Sequence, residues 1–365
     1  MKKIILFLNA YSQGMSGADK ISIEAWKLLD QKMVTIMTSL NGKKLCDRLC
    51  LQANFIITTT ESTFERPIQT YLKRIMVGVW NAINTQKQDL LYASSDQLPD
   101  VLPAIILKIK NPSAQLVARS YHQIPRGRSI LHGAQLLSWF LLRFFSAQII
   151  TASPFMKKAL TQHGFVSKKI HIIYPGISQK KSPAGSSKKR FDATFLSRIH
   201  ASKGIFDLVD IWKKVVSKNP NAVLGIIGTG EQQTVQNLQN KIHKYNLQKS
   251  IKLLGHLSDQ QARTTIAESS VFLFPSFEEG FCLTIAEVLL LGTPIISYDL
   301  PLYADIFPQV LTTVAQSDIA AFAKKTHDML QNPKRSQTKT LKGLQVASQF
   351  TWEKAIAAER AVLNL

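Results

Sequence analysis

Short β-rich apolar runs alternate along this chain with longer segments of helical periodicity, the pattern of repeated βαβ units and parallel sheets. In the first half the expected strands are Ile4–Leu8, Val34–Thr38, Phe55–Thr59, Leu90–Ala93, Gln115–Ser120, Ala147–Ala152 and Ile170–Tyr174. Between them Ala18–Leu29, Ile68–Asn84 and Ser153–His163 read as helices. The periodicity stops at Gln179–Arg190 (QKKSPAGSSKKR), which is polar, basic and rich in Ser, Gly and Pro, as a linker is. A second strand series follows at Ala193–Ser197, Ala222–Ile227, Ile251–Leu254, Val271–Phe274, Ile295–Tyr298 and Val310–Val314. The expected architecture is therefore α/β. Two doubly wound, Rossmann-like domains span 1–178 and 191–350, joined by a linker at 179–190. An amphipathic helix over 351–365 closes the chain and packs back toward the N-terminal domain.

Composition leaves this reading intact: 45% hydrophobic and 19% charged residues over 365 positions suit two folded domains. Charge adds something. The formal net charge is +21, and residues 1–185 carry most of it, with 24 Lys and Arg against 9 Asp and Glu. Such a surface attracts nucleic acid, anionic lipid or anionic substrates, and charge alone does not choose among them. Cys46, Cys50 and Cys282 make no disulfide framework, and the Cys46/Cys50 pair lacks companions for zinc, so a reducing compartment is expected. The run Ile4–Leu8 is too short for a signal peptide, and no stretch is long and apolar enough to span a membrane. A cytoplasmic location follows as the expectation.

The chemistry concentrates in VFLFPSFEEGFCLTIAEVLLLGTPIIS, Val271–Ser297. A strand ends at Pro275-Ser276, an acidic loop holds Glu278 and Glu279, Gly280 permits a tight turn, and a helix runs on to Gly292. Free amides and the positive helix end then fall near Phe281, Cys282, Leu283 and Thr284, a ready site for a diphosphate. Glu279 and Glu287 are eight positions apart, roughly 10 Å along such a site at helical rise. Arg198 and Lys203 sit at the carboxyl end of the first strand of the second domain, where two cations can neutralise a leaving diphosphate. Gly228-Thr229-Gly230-Glu231 and Gly255-His256 end the next two strands.

The combination of SRIHASKG, GTGE, GHLS and FPSFEEGFCLTIAEVLLLGTPIIS resembles the retaining glycosyltransferases of family 4 (glycosyl transferases group 1), and QIITASPFMKKALTQHGFVSKKIHIIYPGI resembles the segment that leads into their second domain. The resemblance implies the GT-B fold, with the two sheets facing a central cleft. It implies that Arg198 and Lys203 bind the donor diphosphate. Glu279 would hold the transferring sugar beside the amides of Gly280, Phe281, Cys282 and Leu283, and Glu287 would contact the nucleotide ribose. Gly228 and Gly230 would line the donor site. Gly14-Met15-Ser16-Gly17-Ala18-Asp19 resembles the family's glycine loop, with Gly17 matching and Ala18 standing where a second glycine is common. Cys282 stands where the family often has glycine or serine. His122 resembles the histidine that lies near the sugar. The implied activity is metal-independent, front-face transfer of a hexosyl-type sugar with retention, in cell-envelope polysaccharide biosynthesis. The donor would be a UDP- or GDP-sugar, with no resident cofactor, and the acceptor a glycan or lipid-linked.

Three other readings make different demands. A glycoside hydrolase also needs two carboxylates but not Arg198, Lys203 or a phosphate-binding helix end. A GT-B sugar-nucleotide epimerase would act without an acceptor. A nucleic-acid binder would use the +21 charge, yet the chain has no aromatic-interleaved basic stripe. Finally, Lys73, Arg74, Arg126, Arg128, Arg143, Lys157 and Lys158 accompany Trp139, Phe140, Phe144 and Phe145. Together these are a candidate peripheral contact with an anionic membrane on its inner face. Leu136–Phe145 reads equally as a buried helix, apolar all round.

Overall fold

The computed structural model describes residues 2–9, 17–29, 34–60, 67–127, 129–145, 148–179 and 189–365. Gly14, Met15 and Ser16 of the glycine loop, Arg128, and residues 180–188 of the expected linker lie outside the described residues. The chain divides into two units. The first comprises Met1–Gly176 with Trp352–Leu365, and the second Ile177–Thr351.

The first unit is built on seven parallel strands: β1 (Ile4–Leu8), β2 (Val34–Thr38), β3 (Asn54–Ile57), β4 (Leu90–Ala93), β5 (Gln115–Ser120), β6 (Gln148–Thr151) and β7 (Ile170–Ile172). Their order across the sheet is β3-β2-β1-β4-β5-β6-β7. The connecting helices are α1 (Gly17–Leu29), α2 (Leu40–Arg48), α3 (Pro67–Asn84), α4 (Leu98–Lys110), α5 (Ser129–Phe145) and α6 (Pro154–Gln162). All five residues of β1 are buried, because helices cover both faces of the sheet. Ile4, Leu6 and Leu8 face the layer that contains α1, while Ile5 and Phe7 face α3, α4, α5 and α6.

The second unit repeats the plan with β8 (Phe191–Leu196), β9 (Leu224–Ile227), β10 (Ile251–Gly255), β11 (Ser269–Phe274), β12 (Ile295–Tyr298) and β13 (Thr312–Val314). All are parallel, in the order β10-β9-β8-β11-β12-β13. Its helices are α7 (Ile205–Val216), α8 (Gln232–Lys244), α9 (Asp259–Ala267), α10 (Leu283–Leu290), α11 (Leu302–Ile306), α12 (Ile319–Gln331) and α13 (Gln337–Ala347). In both units the strand order reverses beside the first strand, at β1/β4 and at β8/β11. A crevice opens at the carboxyl ends of the strands at such a point, and ligands bind there in open α/β sheets.

The last helix, α14 (Trp352–Leu363), belongs to the first unit and packs on α1. A buried ion pair holds it there. Glu359 Oε2 accepts from Arg119 Nη2 on β5 at 2.6 Å, and Glu359 Oε1 accepts from the Tyr92 hydroxyl on β4 at 2.5 Å. Arg119 Nε also donates to the Tyr92 oxygen. Burial opposes the charge on Arg119, but the Glu359 carboxylate together with the Tyr92 and Tyr121 oxygens outweighs it, and the guanidinium stays protonated. Burial pushes the Tyr92 hydroxyl well above the usual phenol range, so it remains a neutral donor.

Burial also sorts the three thiols. Cys46 lies in the core and is pushed up to about 12, chiefly by desolvation, and burial likewise raises Cys282 well above the ordinary thiol range. Cys50 is exposed. At about pH 8, near the ordinary thiol pKa, Ellman's reagent is expected to label Cys50 quickly in the native protein and all three thiols after unfolding. Rapid labelling of a second native thiol would contradict this burial. Replacing Glu359 strands a buried cation. Glu359→Ala should therefore destabilise the first unit by about 3–5 kcal/mol in urea denaturation, with Glu359→Gln recovering part of the loss.

Candidate active site

Three backbone segments meet at the carboxyl ends of β8, β9 and β11 in the second unit, and glycines let them touch. The turn after β8 passes through a 3-10 segment, Ala201–Lys203, to Gly204, which has φ 65°. A Cβ on Gly204 would stand 1.8 Å from the carbonyl oxygen of Pro275 at the end of β11. On the other side of β8, a Cβ on Gly228 would stand 1.9 Å from the Ser197 carbonyl and one on Gly230 2.2 Å from that of Ile199. Ile199 pairs with Gly230 in an isolated bridge, and its amide donates to Thr229 O at 2.8 Å. Gly228 and Gly230 thus have a packing reason to be glycine that is separate from any ligand.

This contact brings two distant residues together. Lys203 Nζ lies 2.7 Å from Glu279 Oε1 and donates to Glu278 O at 3.0 Å. Their side chains are only 18% and 11% exposed, which shields the pair from solvent screening better than a surface pair. An ammonium has three donors, and these two contacts occupy two of them. The Ser276 hydroxyl, at the end of β11, donates to the same Glu279 oxygen at 2.8 Å. The Phe277 amide donates to Ser202 O at 2.9 Å, fixing one loop on the other. Ser276 is a site residue that sequence reasoning did not select. Its only signal was a hydroxyl three positions before Glu279.

Arg198, two residues beyond β8, is exposed and makes no hydrogen bond or ion pair with the described residues. His256 is exposed just past Gly255, and Glu231 precedes α8 without capping it through its side chain. Helix α10 opens at Cys282, which is left-handed (φ 73°) and supplies no oxygen to cap its first turn; its thiol lies by the Ile285 amide. The sequence placed the tight turn at Gly280; the left-handed residue is Cys282. The loop can hold this shape because Phe281 is buried in an aromatic cluster, 5.0 Å from the Phe350 ring and 5.9 Å from that of Phe307. The Cys282 thiol is buried against the Tyr303 hydroxyl. Leu283 and Glu287 are half-buried on α10, whose Ile285, Ala286, Val288 and Leu289 enter the core. Lys203 and Glu279 are thus in contact, and Gly280, Phe281, Cys282 and Leu283 lie on one continuous turn into α10.

His122 and Gly17 belong to the first unit. Gly17 is the first residue of α1. His122 is half-buried two residues past β5, on a segment pinned by Gln135. Gln135 Nε2 donates to His122 O at 2.9 Å, and its Oε1 accepts from the Ile124 amide at 2.8 Å. Gln135 is held in turn by the buried Asp96, whose Oδ2 also accepts from Ser120 Oγ at 2.6 Å and Trp139 Nε1 at 2.7 Å. Neither Asp96 nor Gln135 is flagged by any motif; only the fold brings them to His122. Among the described residues no group of three or more His, Cys, Asp or Glu side chains is arranged to hold a metal ion.

Several known proteins are similar to this chain. Glycogen synthase of Mycobacterium tuberculosis is 24% identical over 232 residues, 62% of this chain and 55% of that enzyme, so the chain spans about half the length of that relative. The O-antigen biosynthesis glycosyltransferase WclY of Escherichia coli is 24% identical over 260 residues, 65% of this chain and 70% of the relative. Among solved structures, Anabaena HepE in complex with UDP and glucose superposes with a TM-score of 0.81 at 17% identity, with both chains fully covered. The two doubly wound units have the GT-B fold, and residues 177–341, nearly all of the second unit, match the family model of the glycosyl transferases group 1.

Proposed function

We propose that this chain is a metal-independent, retaining glycosyltransferase of family 4 that moves a hexosyl-type sugar from a UDP- or GDP-sugar to a glycan or lipid-linked acceptor. The observation that carries this reading is the Lys203–Glu279 pair beside the α10 terminus, with Arg198 exposed on the neighbouring loop. A diphosphate needs cations and amides, and a sugar needs an acceptor of hydroxyl protons. Both demands are met within a few residues of the β8/β11 reversal. Lys203 keeps one donor beyond these two contacts, and Arg198 is exposed, so both can serve an anionic ligand. Relatives support the substrate type: HepE was crystallised with UDP and glucose and with UDP-glucose, and WclY takes part in O-antigen biosynthesis.

In this reading the bond between the anomeric carbon and the donor phosphate oxygen breaks as the acceptor oxygen attacks from the same face. The departing diphosphate takes the acceptor's proton. Negative charge grows on the leaving oxygen, so cations fixed in place beforehand lower the barrier without a protein nucleophile. Glu279, held by Lys203 and Ser276, orients the sugar hydroxyls, Glu287 contacts the ribose, and the amides of Gly280–Leu283 face the phosphates. Gly228 and Gly230 shape the adjoining loop. From the first unit, Gly17 and His122 are the candidate contributors.

Removing one such preorganised donor typically costs on the order of 10²–10³ in turnover. Arg198→Ala and Lys203→Ala are each expected to lower kcat for sugar transfer by about that factor, with thermal unfolding little changed. Wild-type turnover in both variants would overturn the site assignment. A thermal-shift panel of UDP- and GDP-sugars identifies the donor: at about 100 times Kd, binding adds roughly 2.7 kcal/mol of stability. Arg198→Ala should abolish that shift, and EDTA should leave it intact. Conversion of the donor to an isomer with no acceptor present would replace transfer with epimerisation.

A further inference from the structure

The first unit leaves a broad apolar surface uncovered on the face of its sheet that carries α3, α4 and α5. These helices share one core layer, and α4 lies between the other two. Helix α3 is apolar on two sides. Its inner side packs on α4 so closely that a Cβ on Gly78 would stand 2.8 Å from Pro103. Its outer side exposes Ile68, Leu72, Met76, Trp80 and Ile83, spaced as one helical row, with Trp80 66% and Met76 64% exposed. Helix α5 does the same. Trp139 and Leu142 are buried, whereas Ile130, Leu137, Phe140 and Phe144 face outward. Scattered exposed apolar residues are ordinary on protein surfaces, but two rows of them on helices of one layer, either side of α4, are not.

Charge identifies what covers these rows. Neither α3 nor α5 contains an acidic residue, and no Asp or Glu occurs between Asp100 and Asp192. Of the three acids between α3 and α5, Asp96 and Asp100 are buried, and Asp89 is exposed ahead of β4, where it accepts from the Lys3 amide at 2.7 Å. The cations exposed beside the rows are Lys73 on α3, Arg126 ahead of α5 and Arg143 on α5, whereas the Lys110 ammonium at the end of α4 is turned onto the carbonyls of Ala82, Ile83 and Thr85. The Arg143 guanidinium lies over both exposed rings of α5, 5.5 Å from the Phe140 centroid and 4.9 Å from that of Phe144. A second copy of the same face would bring Arg126 and Arg143 against their own counterparts, which like charge disfavours. An apolar layer under an anionic surface satisfies both the rows and the cations, and a half-exposed Trp among aliphatic side chains suits its interface.

We propose that the α3/α5 face of the first unit docks on an anionic lipid bilayer, with Trp80, Met76, Phe140 and Phe144 entering the headgroup boundary and Lys73 and Arg143 contacting lipid phosphates. The docking is peripheral, since no helix among the described residues is long and apolar enough to cross a membrane. The composition of this surface differs from the one the sequence suggested. Trp139 is not part of it, because its indole is buried on Asp96, and Lys157 is turned inward to Ile170 O at 3.0 Å. The segment Leu136–Phe145 is not apolar all round in burial either; it has a core side and a bare side. The row on α3 replaces these as the larger element. The inference does not depend on the enzymatic reading, because its test measures no catalysis.

The test is co-sedimentation of the full chain with vesicles of phosphatidylcholine alone or mixed with phosphatidylglycerol, at low and high salt. Binding is expected on the anionic vesicles and should weaken as salt screens the cations. The double variant Trp80→Ser/Phe144→Ser should lower the partition coefficient about tenfold or more, while Leu341→Ser, an exposed apolar position of the second unit, should not change it. All three replaced side chains are exposed, so the melting temperature should stay near wild type. Absence of wild-type binding to anionic vesicles at low salt would overturn the proposal. So would equal binding by the double variant, or a concentration-dependent dimer in sedimentation velocity that the double variant abolishes, since the face would then be a self-association surface.

Discussion

The site in the second unit depends on one contact: the backbone of Gly204 pressed against the carbonyl of Pro275. No residue with a Cβ can occupy that position without moving β11 away from the turn after β8. The approach sets Lys203 at 2.7 Å from Glu279 across 76 positions of sequence and lets Ser202 O accept from the Phe277 amide. Gly228 and Gly230 repeat the device on the other side of β8. Fixed charges stabilise a changing charge well only when they do not have to reorganise, and close backbone contact supplies that rigidity. The Phe281 ring, inserted among Phe307 and Phe350, anchors the far end of the same loop.

The first unit is held differently. Its last helix arrives from the far end of the sequence and is fixed by Glu359, which takes hydrogen bonds from both Arg119 and Tyr92 inside the sheet layer. A buried charge of this kind tolerates a mismatch badly, so it specifies where α14 docks more than it adds stability. On the opposite layer, α3 and α5 leave apolar rows in solvent. One unit therefore presents a sealed face and an open one. Ordinary folding does not require the open face, which is why it calls for a partner of matching chemistry.

Most of the strand pattern could be read from alternation and apolar runs alone, because buried parallel strands leave a local signature. The two short strands β7 and β13 were expected longer than they are. Their sequences are apolar enough to continue, but they lie at sheet edges with a single pairing partner. Within the site, Arg198, Lys203, Glu279 and Glu287 were legible as charges at strand and helix ends. Ser276, Asp96 and Gln135 were not, since a serine, an aspartate and a glutamine become informative only when a partner lies within hydrogen-bond reach. The aromatic segment of α5 was visible as apolar, yet Trp139 and Phe140 are adjacent in sequence and differ in surroundings, one buried and one bare.

By itself, then, the sequence determined what short-range rules control: two runs of alternating strands and helices, the glycines and cations at strand ends, the helix start after Glu279, and the excess of positive charge. The tertiary structure alone decided which of these elements became neighbours. It set the strand order that opens a crevice at β8/β11, paired Lys203 with Glu279, put Asp96 and Gln135 behind His122, and left the outer rows of α3 and α5 uncovered. The division has a physical cause. Periodicity is fixed by backbone geometry within a few residues, whereas burial and pairing depend on groups that the fold brings together from far along the chain.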